Sequence, residues 1–369
     1  MGQISLTERF AKRLYNCIQY HFQLDINMLN HQLARKILWM VPLLFLTLAC
    51  DLVAQLTSSP TFPTTNPTAQ SPSPSTAESI AVCTALFEDV LNAGAGDGKG
   101  GNSPATFGSD HEIHYLIVYD TPREELGNRE DLLLPEDVDQ KFDSRAAHEA
   151  IWHTFTSIIP EQNRSFVTEF AVLSDGSNNV LAGVSPTYDN PHEWTLKIDV
   201  VDAANPYSLD YSLLHEYGHL LTLNASQVPP DEQVFYHPDD QAIYENAVSS
   251  CPQYFTGEGC SNSGSYINQF FHRYWSSFYM EWQKIQGQEV RRDLLYNFYS
   301  IYADQFLTSY AATSPEEDIA ESWAFFLLSP RPEPTSIANQ KILFFYEYPE
   351  LVALRQEILD RLCASRTGS

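Results

Sequence analysis

Basic side chains are scarce in this 369-residue sequence: 21 lysines and arginines stand against 47 aspartates and glutamates, for a formal net charge of −26. So large a negative excess repels the phosphate backbone of nucleic acids, which excludes nucleic-acid binding as a function. The hydrophobic fraction of 43% is ordinary for a globular protein. The composition therefore predicts a folded, acidic protein that acts on something other than nucleic acid.

A long apolar run is also missing. The most apolar stretch covers residues 37–49, or 13 residues, which is shorter than the ~20 residues that cross a membrane as a helix. With Arg35 and a second basic residue before it and Cys50 directly after it, this stretch resembles a bacterial lipoprotein signal. We expect residues 1–49 to be a signal region, with the true start at Met28, and Cys50 to carry a lipid that holds the exported chain on a membrane. An ordinary signal peptide cut elsewhere, which would release a secreted protein, and an uncleaved anchor remain as alternatives.

Between the signal and the domain, residues 57–76 consist almost entirely of Ser, Thr, Pro, Ala, Gln and Asn. Such a composition cannot bury an apolar core and predicts a disordered tether. We therefore assign residues 50–77 to the anchor cysteine and its tether. Residues 78–369 are enough for one catalytic domain.

Four cysteines follow the signal: Cys83, Cys251, Cys260 and Cys363. An even number in an exported chain predicts disulfides, for which three pairings exist. The short spacing favours a bond between Cys251 and Cys260, and Cys83 with Cys363 would then join the first helix of the domain to the last. The alternative is four unpaired, buried cysteines.

The apolar periodicity of the domain predicts an α+β fold. We expect helices at 78–91, from a cap at Ser144 to about 159, and at 209–223, and strands at 115–119, 168–173, 180–184 and 195–201. Residues 235–307 are rich in aromatic side chains and are predicted to be mostly helical. This order of elements is that of a mixed sheet over a central helix, followed by a helical C-terminal lobe.

The predicted helix at 209–223 carries the motif His215-Glu216-Tyr217-Gly218-His219. Histidines four residues apart lie on one face of a helix and can share a metal ion, for which zinc is the typical choice. Glu216 is then placed to accept a proton from a metal-activated water and to return it to a leaving amine. The alternative is a chance match, but apolar residues surround the motif, and a buried helix rarely carries such polar groups without a use for them. Gly218 weakens a helix interior and so predicts that another chain segment packs closely there.

The third metal ligand is less evident. A metzincin would have a histidine six residues after His219, where this chain has Ala225, so that class is excluded. Asp239 and Asp240 lie at the distance expected for a thermolysin-like enzyme and are one candidate pair. Glu317 is the stronger candidate, because Glu321 follows it four residues later on the same predicted helix.

The segment with Tyr310, Glu317 and Glu321 resembles the catalytic-domain family of anthrax lethal factor, a gluzincin type of zinc metallopeptidase. In that family a tyrosine precedes a zinc-binding glutamate by seven residues, and a second acidic residue follows four later. The resemblance also covers the aromatic residue and glycine between the motif histidines. It implies a zincin-like fold, with zinc held by His215, His219 and Glu317. The gap of almost a hundred residues between the motif and Glu317 is longer than in that family.

The expected roles follow from this resemblance. Tyr310 would assist catalysis and Glu321 would support a ligand histidine. In the alternatives, Glu317 only closes a capping box with Ser314, Tyr310 is a core residue and Glu321 is a surface glutamate.

We therefore expect a monomeric enzyme that hydrolyses peptide bonds in a peptide or protein substrate, with one Zn²⁺ per chain and Glu216 as general base. The alternative functions are a zinc-containing surface binding lipoprotein with little or no catalysis, and hydrolysis of another amide such as a cell-wall crosslink.

Overall fold

The computed structural model describes residues 74–95, 115–122, 124–134, 138, 142–174, 181–200, 203–286, 288 and 291–367. The predicted signal region, Cys50 and the tether as far as residue 73 lie outside the described residues. The first helix begins at Pro74, so it includes the last four positions of the predicted tether. Within the described ranges, no helix has the length and apolar character needed to cross a membrane.

A five-stranded mixed sheet forms one layer of an α+β fold. Its strands, in chain order, are β1 (Tyr115–Asp120), β2 (Arg129–Leu133), β3 (Val167–Ser174), β4 (Ala182–Pro186) and β5 (Trp194–Asp199). Their order across the sheet is β2-β1-β3-β5-β4, in which β3 and β5 are parallel and the other neighbours antiparallel. The prediction of a mixed sheet is confirmed, and β4 is one of its edge strands.

Side chains alternate across this sheet, as the period of two dictates. In β3, Phe170 and Val172 belong to the main core, while Ala171 and Leu173 belong to a small cluster on the opposite face. Leu196 of β5 is wholly buried on the main-core side. The main face thus supplies the apolar surface on which the helices pack.

Helices account for most of the remaining described chain. They are α1 (Pro74–Ala85), α2 (Glu88–Ala95), α3 (Arg145–Ile158), α4 (Pro206–Leu223), α5 (Glu232–Tyr236), α6 (Gln241–Ser250), α7 (Tyr266–Tyr274), α8 (Tyr279–Gln283), α9 (Arg291–Ile301), α10 (Pro315–Leu328), α11 (Ile337–Phe345) and α12 (Pro349–Thr367). Helix α3 begins at its predicted cap, since the side chain of Ser144 accepts a hydrogen bond from the backbone N–H of Ala147. The prediction that residues 235–307 are mostly helical is also confirmed.

Two elements differ from the sequence-based expectation. The predicted helix at 78–91 is two helices, α1 and α2, because a turn at Leu86 and Phe87 interrupts it. Strand β2 was not predicted: its sequence Arg-Glu-Asp-Leu-Leu has three charged residues, and it forms by pairing with β1 at the edge of the sheet.

Both expected disulfides are present, and the alternative of unpaired cysteines is wrong. Cys251 bonds Cys260, and Cys83 of α1 bonds Cys363 of α12, with Cα atoms 5.4 and 5.5 Å apart respectively. The second bond closes a sequence separation of 280 residues, so it joins the first described helix to the last.

The motif helix α4 lies at the centre of the fold. Asn205 caps its start by accepting hydrogen bonds from two backbone N–H groups, and Pro206 occupies the first turn. The helix packs against edge strand β4 and along α10. The side chains of His215, Glu216 and His219 on this helix are buried.

Candidate metal centre

Helix α4 brings the three polar residues of the motif together inside the protein. His215, Glu216 and His219 are 5%, 7% and 8% exposed. The Nε2 atoms of the two histidines lie 3.1 Å apart, one helical turn from each other. The helix thus presents two imidazole nitrogens at one point, with a carboxylate beside them.

Helix α10 adds the carboxylate of Glu317 to this point. The Oε2 atom of Glu317 lies 3.1 Å from Nε2 of His215 and 3.3 Å from Nε2 of His219. At the same time Ser314 caps α10, because its hydroxyl accepts a hydrogen bond from the backbone N–H of Glu317. The cap and the site are therefore compatible: the backbone of Glu317 serves the helix end, and its side chain faces the histidines.

A close approach of the two helices explains how these residues meet. A Cβ atom built on Gly218 would lie 3.0 Å from the Cα of Ala320 and 3.1 Å from Cδ1 of Trp323, both in α10. Only a residue without a side chain lets α4 come this near. The expectation that a segment packs against Gly218 is confirmed, and that contact lies beside both His219 and Glu321.

Replacing Gly218 by alanine is expected to push α4 and α10 apart. Alanine favours a helix interior by up to about 1 kcal/mol, but overpacking against backbone costs about 1–3 kcal/mol. We expect a net loss of stability and poorer convergence of the donor atoms on the two helices, measured by thermal unfolding and by titration with a metal ion. Gly264→Ala is the control, because a Cβ there meets nothing within 4 Å. A Gly218→Ala variant that matches the wild type in both assays would show that the close contact is unimportant.

The donor set can hold a metal ion, and its spacing is compatible with zinc. Among the described residues, His215, His219 and Glu317 form one group of metal donors, whose ligand atoms all lie within 4.8 Å of one another. Ligands at zinc distances of about 2.0–2.1 Å in tetrahedral geometry are about 3.3–3.4 Å apart, close to the 3.1–3.3 Å separations found here. Two imidazoles and a carboxylate are a typical catalytic set that leaves a fourth position open.

Glu321 lies behind the histidines, one turn after Glu317. Its Oε1 atom is 2.9 Å from Nδ1 of His215 and accepts a hydrogen bond of 2.8 Å from the hydroxyl of Tyr211. Its Oε2 atom accepts a bond of 2.7 Å from the hydroxyl of Thr308. Glu321 is 4% exposed, so the alternative of a surface glutamate is wrong.

Tyr310 packs against the ring of His215. Their ring centroids are 5.7 Å apart with an interplanar angle of 38°. Burial and the nearby carboxylates of Glu317 and Glu216 raise the pKa of Tyr310 well above its ordinary value. The phenol therefore keeps its proton and remains a hydrogen-bond donor beside the metal donors.

The charged groups of the site shift one another's pKa values. Burial opposes protonation of His215, but the carboxylates of Glu317 and Glu321 outweigh it, so the pKa of His215 is raised well above its usual range. Burial likewise opposes the charge on Glu317, and the histidines reverse this effect and lower its pKa. For Glu216, burial prevails over the two histidines and its pKa is raised. The carboxylates thus favour a positive charge at the point where the three donors converge. A bound metal cation would supply that charge.

Asp239 and Asp240 lie elsewhere. Both are exposed, and the carboxylate of Asp240 caps α6 by accepting from the N–H groups of Ala242 and Ile243. Neither belongs to the donor group around the histidines. The structure therefore brings Glu317, and not this pair, to the motif.

Two residues of the site were not anticipated from the sequence. Tyr211 stands four residues before His215, and this helical spacing is a signal that could have identified it. Thr308 carries no such signal, because its proximity to Glu321 depends on the turn before α10.

Comparison with known proteins adds no relative: no protein-family model, curated protein or solved structure matches this chain.

Proposed function

We propose that this chain is a zinc-dependent peptidase, a zincin of the gluzincin type. The observation that carries the proposal is the convergence of His215, His219 and Glu317 at zinc-ligand separations, with Glu216 on the same buried helix. Zinc bound there supplies Lewis acidity and lowers the pKa of water to ~7. The remaining chemistry belongs to side chains of the protein.

Glu216 acts as the general base in this proposal. It accepts a proton from the attacking water as the C–O bond forms, and it delivers that proton to the amide nitrogen as the C–N bond breaks. The second proton of the water passes from the new carboxyl group to the amine, so one water is consumed and the products are a carboxylate and an ammonium group. Position supports the role, because Glu216 is buried on the motif helix beside both histidines, where burial raises the pKa of its carboxyl.

Tyr310 acts on the carbonyl oxygen of the peptide bond that is cleaved. As water adds to the peptide carbonyl, its oxygen gains negative charge, and a phenol that keeps its proton can stabilise that charge by donating a hydrogen bond. The retained proton of Tyr310 and its place against His215 support this role.

The fold supports the same class. Edge strand β4 packs against the motif helix, where an extended peptide can lie along the sheet edge. Tyr310, Glu317 and Glu321, the residues that carry the resemblance to the lethal factor family, all surround His215. A helical C-terminal lobe then completes the gluzincin arrangement that we propose.

We further propose that the enzyme is exported and held at a membrane by lipid on Cys50, with the tether spacing the domain from the surface. Two disulfides are compatible with an oxidising, extracellular location. A peptide or protein outside the cytoplasm is the substrate class that this setting implies.

Replacing Tyr310 by phenylalanine is expected to lower kcat about ten- to a thousand-fold, which is the range for loss of one donor to a developing oxyanion. KM and zinc content should change little, because the hydroxyl acts mainly in the transition state. Steady-state kinetics on a cleaved peptide, with metal analysis of the same sample, measures both effects. The control is Tyr296→Phe, a change at an exposed tyrosine of α9. If kcat of Tyr310→Phe equals the wild-type value, Tyr310 only packs against His215.

The proposed function is tested with a peptide library incubated with the purified protein. Cleavage should occur, stop when a chelator removes the metal, and return when zinc is added back. His219→Ala should show no cleavage under any of these conditions. Cleavage that persists in the chelator or in His219→Ala would overturn the proposal, as would a failure of the zinc-loaded wild type to cleave any peptide.

A further inference from the structure

The hydroxyl of Thr308 bonds to two features beside the metal centre: the carboxylate of Glu321 and the turn that contains Tyr310. Thr308 is 1% exposed and precedes the short 3₁₀ turn Ala311–Thr313. Its Oγ1 atom donates to Oε2 of Glu321 at 2.7 Å and accepts from the backbone N–H of Ala311 at 3.0 Å. The side chain is therefore hydrogen-bonded on both the donor and the acceptor side.

The first of these bonds fixes the carboxylate of Glu321. Its other oxygen, Oε1, receives the hydroxyl of Tyr211 at 2.8 Å and lies 2.9 Å from Nδ1 of His215. A carboxylate held at both oxygens cannot rotate freely about its terminal bond. With this carboxylate in contact with Nδ1, the Nε2 atom of His215 faces Glu317 at 3.1 Å. The orientation of a ligand imidazole is set by the partner of its second nitrogen.

The second bond fixes the turn that contains Tyr310. The Oγ1 atom of Thr308 and the N–H of Ala311 close a loop across Tyr310, while the carbonyl of Tyr310 accepts from the N–H of Thr313 at 2.9 Å. Trp282 holds the end of the turn, because its Nε1–H donates to the carbonyl of Thr313. The backbone on both sides of Tyr310 is thus constrained, and Thr308 provides one of these constraints.

We propose that Thr308 is a positioning residue that sets the orientation of His215, through Glu321, and the place of Tyr310, through the turn. The inference rests on the proposed function for the use of these two residues. It adds a specific dependence: zinc affinity and turnover both rely on a hydroxyl that touches none of the three metal ligands. Tyr211 positions Glu321 in the same way, by donating a hydrogen bond to its Oε1 atom.

The test is zinc titration of the metal-free full chain against a chelating dye. Thr308→Val keeps the side-chain shape but removes the hydroxyl, and it should weaken zinc binding by up to about ten-fold, because it acts through Glu321 and loss of a direct partner of a ligand histidine costs about ten- to a hundred-fold. Thr308→Ser restores the hydroxyl without the methyl group and should recover zinc affinity, even where thermal stability stays below the wild-type value. Tyr211→Phe should weaken zinc binding in the same direction and serves as the second variant if Thr308→Val does not fold.

Thr195→Val is the matched control. It removes another buried threonine hydroxyl that donates to a glutamate, at 2.8 Å to Glu169 within the sheet. It should leave zinc affinity unchanged. A purely structural Thr308 would lower thermal stability in Thr308→Val while the folded protein binds zinc as tightly as the wild type, and that result, with Tyr211→Phe also unchanged, would overturn the inference.

The two proposals fail in different ways. If the wild type binds zinc and the variants bind it equally well, the positioning role is wrong and the proposed function is unaffected. If the wild type binds zinc, Thr308→Val loses affinity and no peptide is cleaved by either, the positioning role holds and hydrolysis is wrong. A wild type that binds no zinc would overturn both.

Discussion

Glu216→Gln is expected to lower peptide hydrolysis by about two or more orders of magnitude while the protein keeps its zinc, because general acid–base catalysis contributes about 10²–10⁴-fold. Glutamine has nearly the shape of glutamate but cannot accept a proton from water. Glu216 lies beside the metal donors and is not one of them, so the donor group itself is unchanged. The measurement is kcat/KM on a cleaved peptide, with zinc content determined on the same preparation.

The control for this variant is Glu232→Gln, which makes the same chemical change at an exposed residue in the first turn of α5. It should cleave at the wild-type rate. A Glu216→Gln enzyme that also cleaves at nearly that rate would show that another group takes the proton, and the mechanism proposed for this site would have to be abandoned.

Glu317→Ala is expected to weaken zinc binding by more than about a hundred-fold, since loss of a mere partner of a ligand already costs about ten- to a hundred-fold. Its carboxylate is the one acidic group within 3.3 Å of both Nε2 atoms in the described part of the chain. The cap of α10 uses the backbone N–H of residue 317, which alanine retains, so the helix should still form. Zinc titration and circular dichroism together separate loss of the ligand from loss of the fold.

Asp240→Ala is the informative comparison, because it alters the competing candidate for the third ligand. It removes a helix cap and should cost about 1 kcal/mol of stability, yet leave zinc affinity at the wild-type value. The reverse pattern, with zinc lost in Asp240→Ala and kept in Glu317→Ala, would mean that the metal is bound with thermolysin-like spacing.

The sequence identified most reliably those site residues whose side-chain chemistry and helical spacing both indicate a metal centre. His215 and His219 lie together because a helix places residues four apart on one face, and Glu216 lies near His219 because it precedes it by three residues. Glu317 and Glu321 were found by the same spacing, combined with the resemblance around Tyr310. Their meeting with the motif could not be derived from local pattern, because 102 residues separate His215 from Glu317.

The elements that were missed depend on tertiary contacts. Strand β2 has little intrinsic strand character and is held by its pairing with β1. The role of Thr308 depends on a turn whose geometry is set partly by Trp282, which is 31 residues from its hydrogen-bond partner Thr313. In contrast, the position of Gly218 inside a predicted helix was enough to indicate a close contact, since glycine weakens a helix interior. Helix α10 makes that contact.

The central claim is that His215, His219 and Glu317 hold one catalytic zinc, and anomalous diffraction at the zinc edge from crystals of the purified protein tests it most directly. The predicted result is one peak per chain, about 2.0–2.2 Å from Nε2 of each histidine and from a carboxylate oxygen of Glu317. A zinc peak at Asp239 and Asp240, or zinc-supplemented crystals with no peak between α4 and α10, would contradict it.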